Sequence, residues 1–119
     1  MIVKKQAGFR RLLNATGYSL AGLKSAWQNE AAFRQEIWAM VFLVPLAFWL
    51  GQNAVERALL LLTCFIVLIA ELINSAIEAV VDRIGAEQHG LSGRAKDLGS
   101  AAVLVSIILL VVVWLLIGL

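Results

Sequence analysis

A chain of 119 residues that is 61% hydrophobic and 15% charged is too apolar for an ordinary soluble domain and too short to call for more than one domain. Its formal charge of +2 says little until its distribution is examined, and no nucleic-acid partner is expected. A single cysteine, Cys64 in an apolar run, excludes an intramolecular disulfide and a cysteine-rich zinc site, and reads as a small core residue.

The positive charge belongs to one end. Lys4, Lys5, Arg10, Arg11, Lys24 and Arg34 crowd the first third, where Glu30 is the only acid before Arg34. The residues after Arg11 form no uninterrupted apolar segment with a small-residue cleavage site, so no cleaved signal peptide is expected. From about 8 to 28, Phe9, Leu12, Leu13, Thr16, Leu20, Leu23 and Trp27 share one side of a helix, with Arg10, Arg11, Asn14, Lys24 and Gln28 beside or opposite them. That pattern predicts an amphipathic helix lying in the membrane interface, weakened at Gly17 and Gly22.

Three spans follow. Residues 31–50 are long enough to cross a bilayer's ~30 Å hydrocarbon core. Arg34 and Glu36 fall at the cytoplasmic headgroup level, or Glu36 faces a protein interior. Pro45 is expected to kink this span, and Trp49 to join an aromatic belt at its far side. After a short turn, a second span runs over about 58–81. A polar loop, Arg83 to Asp97, then leads to a third span over about 98–118, with small residues from Gly99 to Ala102 at one end and Trp114 near the other. The Lys and Arg bias puts the N-terminus and the 83–97 loop in the cytoplasm, and three crossings leave the C-terminus outside. The fold class expected is an all-α membrane protein, one surface helix and three transmembrane helices, as a single unit over 1–119.

The second span is the unusual one. Steps of three, four and four place Glu71, Asn74, Glu78 and Asp82 on one helical face. A charge near mid-bilayer costs roughly 2.5–3.5 kcal/mol, so an embedded acid is a functional-site hypothesis by default. Rise per residue separates Glu71 from Glu78 by roughly 10 Å, a distance at which two carboxylates repel by roughly 1.6 kcal/mol at an effective dielectric of 20. Glu30 and Glu78 are candidate Mg2+ ligands, since that ion usually takes one or two protein carboxylates and completes its shell with phosphates and water. Glu30 could equally pair with Arg34 four residues on, and Glu78 could be a buried, hydrogen-bonded acid. Glu71 is either a general base or a structural, protonated carboxyl. Lys96, Asp97 and Ser100 stand where the third span begins, so Lys96 suits an anion, whereas Asp97 could be an N-cap. His89 lies in the loop. Neither a GxxxxGK[ST] nor a kinase GxGxxG loop occurs, which excludes a standard nucleotide fold.

The segments from Asn29 to Glu36 (NEAAFRQE), Ala70 to Gly85 (AELINSAIEAVVDRIG) and Leu91 to Leu104 (LSGRAKDLGSAAVL) resemble, in order and spacing, those of the bacterial integral-membrane diacylglycerol kinases. The resemblance runs from about Gly8 to Trp114. It implies a homotrimer in the inner membrane that shares active sites between chains and phosphorylates diacylglycerol with ATP and Mg2+. It further implies Glu71 as catalytic base, with Asn74 and Lys96 in the catalytic group. Glu30 and Glu78 would be metal carboxylates. Nucleotide would meet Arg11, Tyr18, Glu30, Glu78, Glu87, Gln88, His89, Lys96 and Asp97. Arg11, Ser19, Arg34, Glu36, Trp49, Glu71, Ser100 and Trp114 would line the lipid site. Asn14 and Gln88 depart from the family's pattern. Competing readings are a kinase of undecaprenol, a proton- or cation-conducting oligomer, and a structural membrane subunit.

Overall fold

The computed structural model describes residues 8–85 and 90–119. Four helices account for nearly all of them: α1 Gly8–Asn29, α2 Ala31–Leu50, α3 Ala54–Ile84 and α4 Gly90–Gly118. Three of these, α2, α3 and α4, are long and apolar enough to cross a membrane, and α1 precedes them as expected. Glu87, Gln88 and His89 lie outside the described residues.

A single residue turns α1 into α2. Glu30 has extended backbone (φ −117°, ψ 105°), and its side chain makes no capping bond to the helix it starts. The corner is closed from the other side instead. Arg34 Nη1 donates to the carbonyls of Trp27 at 2.7 Å and Gln28 at 3.3 Å, satisfying acceptors that the end of α1 leaves open. Arg34 is therefore used as a C-terminal clamp on α1, and among the described residues it forms no ion pair with Glu30.

Helix α2 continues through Pro45 to Leu50. The turn beyond it is held by three side chains. Asn53 Oδ1 accepts from the Glu56 amide and Glu56 Oε1 from the Gln52 amide, both at 2.9 Å, an exchange that pins the N-terminus of α3. Arg57 Nε donates to the Phe48 carbonyl at 3.1 Å. A Cβ at Gly51 would lie 2.5 Å from Arg57 Cγ and 3.0 Å from its amide nitrogen, so this turn admits only glycine. At the other end of α3, Gly85 takes the left-handed conformation (φ 103°) and its N–H closes on the Val81 carbonyl at 2.9 Å, the usual glycine stop.

The first turns of α4 correct one expectation. The helix begins at Gly90, so Asp97 stands about two turns inside it and is not an N-cap. Arg94, Ala95 and Lys96 are good helix formers. They extend the helix past the apolar stretch into the region read from sequence as loop.

Packing is closest between α3 and α4, looser between α2 and α3, and confined to the corner between α1 and α2. Met40, Cys64 and Val67 form a buried cluster, with Leu43, Val44, Leu68, Leu110 and Trp114 packed around it. Cys64 is a buried core residue, as expected. Thr63 is buried within the same layer. Its hydroxyl donates to the Leu60 carbonyl at 2.7 Å and accepts from Trp114 Nε1 at 3.1 Å, which ties α3 to α4 with no polar atom of the pair unspent. Most large apolar side chains face outward, among them Phe42, Phe65, Ile69, Leu104 and Leu116, as suits helices surrounded by lipid or by further copies of the chain.

Candidate functional site

The polar stripe of α3 is present, and its members have different surroundings. Glu71 and Asn74 are buried, 6% and 8% exposed; Glu78 is half-buried and Asp82 exposed. Burial thus falls steadily toward the end of α3. Each of the four meets a partner or a constraint from another part of the chain.

Glu71 faces Glu36 of α2. Both Glu36 oxygens are buried without a hydrogen-bond donor, so two acidic side chains meet between α2 and α3. The alternative placement of Glu36 among headgroups is not adopted: it turns inward.

Asn74 Nδ2 donates to Glu78 Oε1 at 2.8 Å. The opposite end of the same amide, Oδ1, is buried and unpartnered. A buried acceptor left unmade costs about 1–3 kcal/mol. Such a cost is expected at a site shaped for something other than stability.

Asp82 Oδ1 receives Lys96 Nζ at 2.9 Å. This pair links the last turns of α3 to the early turns of α4, and with both side chains partly solvated it contributes little stability, under ~1 kcal/mol. It does keep an ammonium group at the mouth of the stripe.

Glu30 contributes from the corner. It lines a cleft of about 590 Å³ with Ser19, Gly22, Ser25 and Ala26 of α1 and with Ser75, Ala76 and Ala79 of α3. Small side chains on both helices create the space. The cleft is open to one side. Glu78 lies on the same turns of α3 but does not itself line the cleft.

Several sequence-derived candidates stand apart from this group. Arg11 is exposed on α1, as is Tyr18 at 75%, and neither lines the cleft. Ser19 does line it, though its hydroxyl donates to the Ala15 carbonyl at 2.9 Å. Asp97 and Ser100 are exposed on α4. Trp49 is 78% exposed in the last turn of α2, about 20 Å along the helix from Glu36 at 1.5 Å per residue. Trp114 belongs to the core layer around Thr63, about 20 Å along α4 from Ser100 by the same rise.

Three relationships escape sequence reasoning. Asp82 was visible only as the last member of the stripe, since its pairing with Lys96 joins residues 14 apart across a turn. Ser75, Ala76 and Ala79 form a small-residue face that flanks the acid stripe of α3 and lines the cleft, a weak signal until α1 is seen above it. Gly99 is buried against Asn74, and nothing in the sequence sets that register.

Among the described residues no group of three or more His, Cys, Asp or Glu side chains could hold a metal alone. Glu78, oriented by an amide, and Glu30, free of any capping role, offer hard carboxylate oxygens of the kind Mg2+ shares with phosphates and water. The donor set fits a cation that arrives with its own phosphate ligands.

The family model described as prokaryotic diacylglycerol kinase matches residues 17–118 of the chain. A diacylglycerol kinase of Escherichia coli K12 is 58% identical over 107 residues, covering 90% of this chain and 88% of the relative. The diacylglycerol kinase of Pseudomonas aeruginosa is 53% identical over 111 residues, 93% of this chain and 90% of the relative. That of Haemophilus influenzae is 50% identical over 110 residues, 92% and 93% respectively.

Proposed function

The chain belongs to the prokaryotic diacylglycerol kinase family, and on that premise we propose that it transfers the γ-phosphoryl group of ATP to the free hydroxyl of diacylglycerol, giving phosphatidic acid at the cytoplasmic face of the bacterial inner membrane. The observation that carries this reading is Glu71, a carboxyl buried between helices on a stripe whose far end carries a lysine; a lipid hydroxyl diffusing sideways in the bilayer would meet it there.

Glu71 takes the hydroxyl proton as the oxygen attacks the γ-phosphorus, and the phosphoryl group passes directly to lipid while the bond to ADP breaks. Asn74 orients Glu78 through its amide. Glu78 and Glu30 would hold Mg2+, which would supply neutralisation of phosphate charge. Lys96, kept at the mouth by Asp82, contacts the phosphates. Arg11, Tyr18, Asp97 and the 87–89 segment complete nucleotide binding. On the lipid side, Arg34, Glu36, Ser19 and Ser100 lie near the headgroup, with Trp49 and Trp114 at the depth of the tails.

The three apolar helices support a multi-pass membrane protein, with the stretches 31–50, 58–81 and 98–118 in the bilayer and α1 along its cytoplasmic surface. Arg34, Arg83, Arg94 and Lys96 gather at the start of α2, the end of α3 and the start of α4, which by charge bias is the cytoplasmic side and leaves the C-terminus periplasmic. The chain works as a homotrimer with shared sites. The open cleft under α1 and the outward apolar faces of α3 and α4 support that assembly.

The test is transfer of labelled γ-phosphate from MgATP by the purified protein, offered diacylglycerol and undecaprenol in parallel mixed micelles. Labelled phosphatidic acid, reduced at least ~100-fold in a folded Glu71→Gln variant, is the expected result. Label on undecaprenol alone would keep the reaction and replace the substrate. No labelled lipid, with conductance in liposomes, would replace the kinase by a channel.

A further inference from the structure

Six of the seven glycines of the four helices have room to spare. A Cβ built on Gly8, Gly17, Gly22, Gly90 or Gly93 would meet nothing within 4 Å, and one on Gly118 only Leu50 Cδ2 at 3.6 Å. Gly99 is different. It is buried in α4, and a Cβ there would press first on Asn74 Oδ1, with Asn74 Cγ at 3.4 Å and Ile77 Cδ1 at 3.6 Å behind it. The obstacle is the end of one side chain, not backbone, so the relief is a rotation of the Asn74 amide. That amide is planar. Oδ1 faces Gly99 while Nδ2 donates to Glu78 Oε1 at 2.8 Å, and turning one end moves the other. Asn74 is only 8% exposed, and the cavity of about 320 Å³ that it lines with Ile77 and Gly99 is otherwise apolar, so an amide turned that way finds no polar partner to replace Glu78.

We infer that Gly99 is a positioning residue: by lacking a Cβ it keeps the Asn74 amide turned toward Glu78 and so sets the direction of that carboxylate. The inference rests on the reading of Glu78 as a cation ligand and adds the α4 backbone to what aims it. Packing alone would demand a small residue whose first neighbour is apolar or backbone. Here the first neighbour is the unpartnered oxygen of the amide that holds the acid.

The experiment is a double-mutant cycle on the assembled protein. Mn2+ binding in the presence of a non-hydrolysable ATP analogue is followed by electron paramagnetic resonance, and the Asn74 side-chain amide by nuclear magnetic resonance. Gly99→Ala should weaken Mn2+ binding about tenfold, the lower end of what loss of an orienting partner produces. It should move the Asn74 amide resonance and leave assembly intact, because alanine favours a helix more than glycine does. In an Asn74→Ala background the same change should alter Mn2+ binding less than twofold. Gly93→Ala, in open space on the same helix, serves as the helix-propensity control and should have no effect. Equal weakening in both backgrounds would overturn the inference, as would no weakening where Glu78→Gln does weaken binding. If Glu78→Gln itself leaves Mn2+ binding unchanged, the ligand reading of Glu78 falls separately, and the amide resonance decides: shifts in both Gly99→Ala and Glu78→Gln uphold the positioning chain, and any other pattern overturns it. If Gly99→Ala fails to assemble, recovery in the Gly99→Ala, Asn74→Ala double variant supports the inference and continued failure overturns it.

Discussion

The two ends of helix α3 solve the problem of polar groups in an apolar setting in opposite ways. In the half that carries Thr63, each buried hydroxyl is paired: Thr63 with the Leu60 carbonyl and the Trp114 indole, Ser106 of α4 with the Val103 carbonyl at 2.6 Å. In the half that carries Glu71, three buried oxygens, two of Glu36 and one of Asn74, lack a donor. The first half is organised for stability, and its polar atoms are closed circuits. The second holds acids and an amide whose bonding is incomplete within the chain. A ligand, a proton or a neighbouring chain has something to do there. The same helix, with the same backbone, serves as scaffold at one end and as site at the other.

The contrast can be broken by mutation. The largest effect is expected from Glu71→Gln, which keeps the shape of the side chain but removes its basicity: phosphatidic acid formation should fall by about 10²- to 10⁴-fold while the circular dichroism of the assembled protein is unchanged. A loss of helical signal would instead make Glu71 structural and erase the distinction between the halves. Asn74→Ala should come next, with activity reduced about 10- to 100-fold as Glu78 loses its orienting bond, measured as the Mg2+ concentration needed for half-maximal rate. In the other half the effects should move to stability. Leu60→Ala, at a fully buried position, should destabilise by about 2–5 kcal/mol, read from reversible unfolding in mixed micelles, with turnover of the folded fraction unchanged. Trp114→Phe should remove the tie to Thr63 at a cost of roughly 0.6 kcal/mol, the average for a hydrogen bond between membrane helices. If it altered turnover, the Thr63 layer would be part of the site. A stability change at least as small should follow Asp82→Asn, because the Lys96 pair is partly solvated.

Periodicity was enough to find the elements. Apolar runs separated by short polar turns located α2, α3 and α4, and the alternating faces of residues 8–28 located α1, since both patterns follow from 3.6 residues per turn and need no knowledge of neighbours. The acid stripe was legible for the same reason. The helix ends were less so. The early start of α4 at Gly90 was hidden because polar helix formers and polar loop residues have similar composition.

Pairings across helices were not legible at all. Glu30 and Arg34 have the spacing of an ion pair, yet Arg34 goes to the carbonyls of Trp27 and Gln28, because the chain turns at Glu30 and leaves those carbonyls without helical partners. Glu36 against Glu71, Lys96 against Asp82 and Gly99 against Asn74 each join different helices. Sequence by itself determined which residues share a helix face, which segments suit a bilayer and which acids would be hard to bury. Only the tertiary structure decided which face meets which, because the rotation and depth of one helix against another are set by the packing of many side chains at once, and no local spacing encodes that sum.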